Sequence, residues 1–228
     1  MIYYKKKNKT NMAEIWYNYD EQPAGRIDVL RYKYVTERKE NAASFEELWT
    51  LLIDLEKPED ELFSRMRKST RYQINRAKNK DHIVHTTLLD KGEKDEEKIN
   101  RYIDFYNAFA DSKNRSHIHV SDIEQFYNTG TLCVRSASTG TEPLTMHAYV
   151  VSDNTARLHQ SSSLFRVSQD GDYKNLIARA NRLLHWEDAL YFKRAHGIRW
   201  YDFGGWYGGG GGFIQKNYEQ LLIKKINE

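Results

Sequence analysis

Three strand-like segments in a row, followed by one long helical segment, restrict the possible folds of this chain more than any other feature. The segments TLCVRSA (131–137), PLTMHAYVVS (143–152) and TARLHQSSS (155–163) are rich in apolar and β-branched residues, and the turn-forming stretches STGTE and DN separate them. Neighbouring strands joined by such short turns pair antiparallel. The sequence therefore predicts a three-stranded antiparallel meander.

The long helical segment runs from Asp172 to His196, where apolar residues recur at helical spacing. Gly197 stands directly after it, in the position that glycine usually takes at the end of a helix. The next residues, IRWYDF (198–203), predict another strand. This order indicates a helix packed against a sheet.

Before the meander, strands and helices alternate. RIDVLRYKYVT (26–36) and WTLLIDL (49–55) predict strands. A helix is predicted from Lys57 to about Lys80, because Pro58 and the acids after it suit a first helical turn.

HIVHTTLL (82–89) predicts the next strand, and a helix follows from about Glu96 to Ala110. Ser121 and Glu124 have the spacing of a capping box, which predicts that a further helix begins with Ser121 as its N-cap.

The order of these elements predicts an α/β (α+β) fold in which a mixed, mostly antiparallel sheet carries helices on both faces. The chain has 228 residues with no internal repeat and no linker-like segment, so residues 1–228 are expected to form a single domain. Hydrophobic residues make up 39% of the chain, which suffices for a packed core. The formal net charge of +3 suits an anionic ligand without requiring nucleic acid.

Several classes of protein are excluded by composition. No run of about 20 apolar residues is present, and no apolar stretch follows the basic start MIYYKKKNKTNM, so we expect no membrane span, no signal peptide and a cytoplasmic location. Cys133 is the only cysteine, which excludes an intrachain disulfide and a thiolate-rich metal site, and we expect it to be a buried strand residue. No other residues have the spacing of metal ligands.

Two motifs resemble a known family. In LFSRMRKSTRYQINRAKNKDHIVHTT, a helix with the pattern Arg-x-x-Ile-x-x-Ala, carried by Arg71, Ile74 and Ala77, precedes a strand. Near the other end, WEDALYFKRAHGIRWYDFGG has a helix, a glycine and a strand that ends in Tyr-Asp-Phe-Gly-Gly (201–205). Over residues 45–220 the chain resembles the Fem-like branch of the GNAT acyltransferase superfamily.

This resemblance implies a single GNAT-like domain and the transfer of an acyl or aminoacyl group to an amine. In the family such transfer typically serves the synthesis of cell-wall or surface glycans, which implies a small-molecule or glycan-precursor acceptor. The acyl donor is expected to be acyl-CoA, used as a co-substrate, with aminoacyl-tRNA as the alternative.

The loop between the meander and the long helix is the predicted cradle for the phosphates of the donor. A helix N-terminus binds anions, and Arg166, Gln169, Gly171 and Lys174 are the predicted cofactor-binding residues there. The alternative is a plain connection in which Asp170 or Asp172 caps the helix.

The predicted catalytic residues are Asp202, Tyr201 and His147. Asp202 ends an apolar strand, where it could accept the proton of the amine, or it could cap the turn formed by Gly204 and Gly205. His147 is a candidate base, because histidine titrates near neutral pH, although a strand histidine is more often a hydrogen-bonded packing residue.

Six residues are predicted to bind substrate. They are basic or aromatic residues at the basic helix, the meander and the C-terminal region: Arg71, Arg76, His159, Trp206, Tyr207 and Lys216. Trp206 and Tyr207 lie in GGWYGGGGG (204–212), in which seven of nine residues are glycine. That segment is interpreted either as a lid that orders on a ligand or as a passive connector.

Three functions are therefore weighed. The first is an acyl-CoA-dependent N-acyltransferase that acts on an amine such as an amino sugar. The second is an aminoacyl-tRNA-dependent transferase, which the motifs and the basic run between Arg65 and Lys80 favour. The third is a non-catalytic GNAT-like binding domain.

Overall fold

The computed structural model describes residues 1–17, 21–35, 41–44, 49–152 and 154–205. The chain divides into two compact units, one built mainly from Met1–Thr50 and the other mainly from Leu51–Gly204. That residues 1–228 act as one domain stays a prediction.

The first unit contains a three-stranded sheet. Strands β1 (Ile2–Lys7) and β2 (Thr10–Trp16) form an antiparallel hairpin, and β3 (Val29–Lys33) pairs parallel to β2. The strand predicted at 26–36 is thus shorter than expected, and the hairpin before it was not predicted. The hairpin was missed because β1 is rich in lysine. In a sequence pattern lysines indicate polar surface, although an edge strand tolerates them.

The second unit is built on a six-stranded sheet with the order β4-β9-β8-β7-β6-β5. Its strands are β4 (Thr50–Asp54), β5 (Val84–Leu89), β6 (Leu132–Ser138), β7 (Pro143–Val151), β8 (Thr155–Ser163) and β9 (Trp200–Gly205). From β5 to β8, each strand pairs antiparallel with the next strand along the chain, which confirms the meander. β8 and β9 pair parallel. A parallel pair needs a long crossover, and the long helix provides it.

Within the residues that the structure describes, five helices accompany this sheet. They are α1 (Glu59–Ser64), α2 (Lys68–Asn79), α3 (Glu96–Ser112), α4 (Val120–Asn128) and α5 (Gly171–His196), and a short 3₁₀ turn (Leu164–Arg166) precedes α5. Tyr102 of α3 hydrogen-bonds Gln160 of β8, whereas Asp188 of α5 hydrogen-bonds Tyr149 of β7. Gln160 pairs with Ala148, whose side chain lies on the face opposite to that of Tyr149. Helices therefore cover both faces, which confirms the predicted fold class.

Two predicted helix boundaries are wrong. The helix expected from Lys57 to Lys80 is divided into α1 and α2, because Arg67 is extended, with φ −55° and ψ 143°. Arg71 stabilises the break, since its guanidinium donates to the carbonyl oxygens of Ser64 and Met66 at 2.5 and 2.6 Å.

The capping residue of α4 also differs from the prediction. The helix begins at Val120, so the N-cap is His119, whose side chain makes no capping hydrogen bond. Ser121 lies inside the first turn, where the backbone N–H of Asp122 bonds to the carbonyl oxygen of His119 instead, at 2.9 Å.

The core of the second unit lies between α5 and the sheet. Tyr149, Phe192 and Tyr201 are fully buried there. Cys133 is also fully buried in β6, as predicted, and burial raises the pKa of its thiol well above the ordinary value. Among the helices within the described ranges, none has both the length and the apolar character needed to cross a bilayer.

Gly197 ends α5 in the left-handed conformation, with φ 62°, as the sequence predicts. Open space surrounds the position of a Cβ atom, so only backbone strain opposes a side chain. We expect Gly197→Ala to lower the free energy of unfolding by about 1–2 kcal/mol, measured by urea unfolding. Gly171→Ala is the matched control, since Gly171 is helical and equally uncrowded; an equal loss there would contradict the explanation.

Candidate active site

A buried polar seam runs between α5 and the sheet. Asn181, His185 and Asp188 of α5 are spaced at i, i+4 and i+7, so they share one face of the helix. Their hydrogen-bond partners come from four strands: Arg135 of β6, Thr145, His147 and Tyr149 of β7, Ser161 of β8, and Tyr201 of β9. The fold thus collects these polar side chains in a part of the molecule that is otherwise apolar.

Asp188 is the centre of the seam and is fully buried. Its Oδ1 accepts a hydrogen bond from Nε of Arg135 at 3.0 Å. Its Oδ2 accepts one from the hydroxyl of Tyr149 at 2.7 Å and lies 2.8 Å from Nδ1 of His147. A buried carboxylate needs such partners to offset its lost hydration, and removal of one would leave the others uncompensated.

The second half of the seam leads from Tyr149 to His185. The hydroxyl oxygens of Tyr149 and Tyr201 are 2.7 Å apart, and that of Tyr201 lies 2.8 Å from Nδ1 of His185. Burial raises the pKa of Tyr149 well above its usual value, and nearby Asp188 adds to the effect. Tyr149 is therefore a hydrogen-bond donor at neutral pH.

Asn181 completes the seam on the other side of His147. Its Oδ1 position lies 2.9 Å from both Nε2 of His147 and Oγ1 of Thr145. Thr145 already donates its only proton to the carbonyl oxygen of Ser162, at 2.8 Å. A 180° rotation of the Asn181 amide turns its NH₂ group toward His147 and Thr145, where it can donate to both.

Strand β8 runs past this seam. It pairs with β9 as far as Arg157 and Asp202 and continues to Ser163. Ser161, on the continuing part of β8, is exposed and its hydroxyl lies 3.4 Å from Asn181. The polar seam therefore reaches the surface at Ser161 of β8.

The pKa of His185 is lowered well below 6.5, mainly by burial, and also by nearby His147 and Arg182. In the folded protein the ring stays neutral, whereas the unfolded chain binds a proton below about pH 6.5. The unfolded state then holds more protons, so stability should fall as the pH drops below 6.5, by up to about 1.4 kcal/mol per pH unit. Urea unfolding between about pH 7.5 and 5.5 measures this loss.

The control for this pH dependence is His185→Gln, which removes the titrating group. We expect the variant to lose less stability than the wild type over the same pH range. An identical loss in the two proteins would assign the effect to other groups.

The structure brings two of the three predicted catalytic residues, His147 and Tyr201, into the seam, where both are fully buried. Asp202 lies outside it, in a buried ion pair with Arg157. Its Oδ1 also accepts the backbone N–H of Gly204, at 2.8 Å. Both oxygens of Asp202 thus have partners, in line with the capping role weighed for it from the sequence.

The predicted cofactor-binding residues lie around the start of α5. Arg166 ends the 3₁₀ turn, Gly171 is the first helical residue, and Gln169 is exposed. The N-cap is Asp170, whose carboxylate accepts the N–H of Asp172 at 2.8 Å. Two carboxylates therefore occupy the helix end at which phosphates were predicted to bind, while Lys174 lies one turn further along.

The predicted substrate-binding residues do not converge. The guanidinium of Arg71 donates to the carbonyl oxygen of Ser64 at the end of α1. Arg76 faces Asp81, with 3.6 Å between Nε and Oδ1. His159 packs edge-on against Phe126 of α4, on the face opposite to the seam, with 4.9 Å between ring centroids. Trp206, Tyr207, Lys216 and most of the glycine-rich segment lie outside the described residues.

Sequence reasoning missed seven members of the seam: Arg135, Thr145, Tyr149, Ser161, Asn181, His185 and Asp188. One signal was present in the sequence. The residues at 181, 185 and 188 repeat at helical spacing on the side of α5 that also carries Leu184 and Phe192, which are buried. Polar residues on an apolar helix face indicate buried hydrogen bonds.

Solved structures share this fold. FemX matches with a TM-score of 0.59 and 11% identity, over 84% of this chain and 64% of that chain. The C-terminal domain of a protein described as a lysylphosphatidylglycerol synthetase, from Agrobacterium fabrum, matches with a TM-score of 0.56 and 11% identity, over 79% and 58%. A conserved protein of unknown function from Bacteroides thetaiotaomicron matches with a TM-score of 0.52 and 13% identity, over 78% and 57%.

The chain spans less than two thirds of the length of each of these proteins. No family model matches the sequence, and a search of curated proteins finds no match. At these identities the likeness shows the fold alone: the chain has the fold of FemX and of the Agrobacterium fabrum domain, which agrees with the fold that the resemblance implies.

Proposed function

We propose that the protein is an acyltransferase of the Fem-like class, which transfers an acyl or aminoacyl group to an amine. The observation that carries the proposal is the fold shared with FemX over 84% of this chain. The buried seam supports it, since acyl transfer to an amine needs groups that take up a proton and hold charge in a water-poor site.

In the proposed reaction the amine nitrogen attacks the carbonyl carbon of the acyl group. The new C–N bond forms, the bond from that carbon to the donor breaks, and the amine gives up a proton. The acceptor that we propose is a small amine or an amine-bearing glycan precursor. A cytoplasmic location, where both candidate donors are made, belongs to the same proposal and is tested by fractionation of cells.

Aminoacyl-tRNA is the donor that the charges favour. Asp170 and Asp172 place negative charge at the start of α5, which opposes the binding of a pyrophosphate there. The region of α1 and α2, in contrast, exposes five cations: Arg65, Lys68, Arg76, Lys78 and Lys80. Exposed cations along these two consecutive helices favour a polyanion. Acyl-CoA is the alternative donor, and a non-catalytic binding domain is the third possibility.

Thermal unfolding in the presence of each donor tests the proposal. A ligand at 100 times its Kd stabilises the fold by about 2.7 kcal/mol, so we expect charged tRNA at low salt to raise the melting temperature. Acetyl-CoA and longer acyl-CoAs should have less effect. Stabilisation by acyl-CoA and not by tRNA would make acyl-CoA the favoured donor.

Uncharged tRNA is the matched control, because it carries the same phosphates without the acyl group. Transfer is then measured as release of uncharged tRNA or free CoA in the presence of glucosamine or lysine. Binding of a donor without any transfer to these or other amines would favour the non-catalytic alternative.

A further inference from the structure

We propose that one exposed face of α2 holds the RNA of the donor, where Tyr72 stacks on an unpaired base and the neighbouring lysines contact phosphates. The inference rests on the proposed function with aminoacyl-tRNA as the donor, and it deepens that function by naming the residues that recognise the RNA. Its support is a row of basic, aromatic and amide side chains, all exposed, on a helix whose opposite side is buried.

The two sides of α2 differ in character. Ile74 and Ala77 are buried in one apolar cluster with Leu183 and Leu184 of α5. On the other side, exposed residues follow one another at spacings of three and four, so their side chains are neighbours along the helix. This exposed row is called the α2 stripe and consists of Lys68, Tyr72, Asn75, Arg76, Asn79 and the C-cap residue Lys80.

The charge of this segment has one sign. Residues 65–80 include seven basic residues and no acidic one. Lys68 and Lys80 lie at the two ends of the α2 stripe, and within the described ranges of the chain neither of them takes part in an ion pair. Each phosphate of a nucleic acid carries a negative charge that such lysines neutralise, with release of bound counterions. The charge of the stripe therefore fits RNA.

Two carboxylates lie against α2, and both are largely buried. Oδ1 of Asp81 lies 3.6 Å from Nε of Arg76, and Oε1 of Glu187 lies 3.5 Å from Nζ of Lys78. The side chains of Asp81 and Glu187 are 11% and 8% exposed. Little negative charge therefore reaches the surface from these two residues, and the stripe stays positive.

Tyr72 distinguishes the stripe from a surface that is merely basic. It is 60% exposed and lies one turn from Lys68 and one turn from Arg76. An exposed aromatic ring beside cations is a stacking platform for the bases of a single strand, whose faces are free, whereas paired bases already stack on one another. The amides of Asn75 and Asn79 can donate to base edges and accept from them. These contacts favour an unpaired nucleotide.

An anionic membrane is the other polyanion that a basic helix can meet. A helix that lies in a membrane surface buries a row of large apolar side chains. On the α2 stripe Tyr72 is the sole large hydrophobic residue, and charged and amide side chains flank it. RNA is therefore the partner that the stripe fits.

The stripe and the polar seam are attached to the same helix. α5 packs against α2 through Leu183 and Leu184, and it reaches the sheet through Asp188, which bonds to Tyr149. A tRNA held on α2 therefore lies beside the helix that carries the seam.

Binding of labelled RNA, measured by fluorescence anisotropy at low salt, tests the stripe without any transfer. The probes are uncharged tRNA, a single-stranded RNA of about 12 nucleotides and the duplex of the same sequence. We expect Tyr72→Ala to weaken binding of the tRNA and of the single strand by about 5- to 100-fold, and to leave binding of the duplex within about twofold. Tyr72→Phe keeps the ring and should bind like the wild type. Equal affinity of the wild type and Tyr72→Ala for the single strand would overturn the stacking.

The salt dependence of binding tests the phosphate contacts. Each lost contact should reduce the slope of log Kd against log salt concentration by about 0.7 for a single strand, so we expect this change in Lys68→Gln and again in Lys80→Gln. The matched control is Tyr173→Ala, which removes an exposed tyrosine from α5 beside Asp172 and should change neither the affinity nor the slope. Wild-type slopes in both lysine variants would overturn the phosphate contacts.

Turnover separates this proposal from the proposed function. With charged tRNA as donor and glucosamine as amine, Tyr72→Ala should raise the KM for the tRNA by about 5- to 100-fold and leave kcat unchanged. If the wild type transfers the acyl group and Tyr72→Ala does so with the same KM, the stripe is wrong and the proposed function stands. If RNA binds with the expected dependence on Tyr72 but no donor supports transfer, the proposed function fails and the stripe stands.

Two further outcomes would overturn the stripe. The first is a wild type that transfers from acyl-CoA and binds none of the RNA probes, which leaves the acyltransferase in place with the other donor. The second is binding of phosphatidylglycerol vesicles, and not of RNA, that Tyr72→Ala and Lys68→Gln both weaken. That result would make this face of α2 a membrane surface.

Discussion

Replacing Asp188 with alanine should lower the free energy of unfolding by about 3–5 kcal/mol. The side chain is fully buried, and Arg135, with 3% of its surface exposed, loses the carboxylate at 3.0 Å that compensates its charge. The hydroxyl of Tyr149 loses its acceptor at the same time. Equilibrium urea unfolding, followed by fluorescence, measures the change.

Asp104→Ala is the control for this prediction, because Asp104 lies exposed on α3. An exposed substitution of this kind should change stability by no more than about 0.5 kcal/mol. A second variant separates charge from shape: Arg135→Met in the Asp188→Leu background removes both buried charges and should restore part of the lost stability. A loss below about 1 kcal/mol in Asp188→Ala would mean that water reaches Arg135.

The meander and the end of α5 were predictable because their signals are local, whereas the parallel pairing of β8 with β9 was not predicted. Short turns between apolar segments fix the meander, and a glycine after the last helical residue fixes the end of α5. The break between α1 and α2 was not predictable in the same way. It depends on Arg71 reaching back seven residues to the carbonyl of Ser64, and no local pattern encodes that contact.

The candidate site was predictable only in part, for a related reason. His147 is indicated by its residue type and Tyr201 by the Tyr-Asp-Phe-Gly-Gly motif, so both could be named from the sequence. Asp188 and His185 are typical of a helix surface when read one at a time, and become significant only because α5 turns that side toward β7 and β9. Which face of a long helix meets the sheet is decided by packing, and that information is spread over the whole core.

The glycine-rich segment illustrates the opposite situation. Its composition is the most unusual in the sequence, and at its start Gly204 has φ 88° and lies close to the carbonyl oxygen of Leu158, at 3.1 Å from the position of a Cβ atom. A side chain there would meet backbone. At Gly204 the glycine is thus required by the close approach of β9 to β8.

Replacing Asp202 with alanine is the second change for which we expect a large effect, again about 3–5 kcal/mol in the free energy of unfolding. Asp202 and Arg157 have 1% and 6% of their surface exposed and form an ion pair, and Asp202 also holds the N–H of Gly204. If the pair acts as a unit, Asp202→Ala and Arg157→Met should together destabilise the protein by about 0.5–3 kcal/mol less than the sum of the two single changes.

A comparison of turnover separates the structural role of Asp202 from the catalytic role that the sequence suggests for it. A structural carboxylate makes Asp202→Asn and Arg157→Met alike in turnover at a temperature where both are folded. A base makes Asp202→Asn slower than Arg157→Met by about 10²- to 10⁴-fold, and that result would return Asp202 to the reaction.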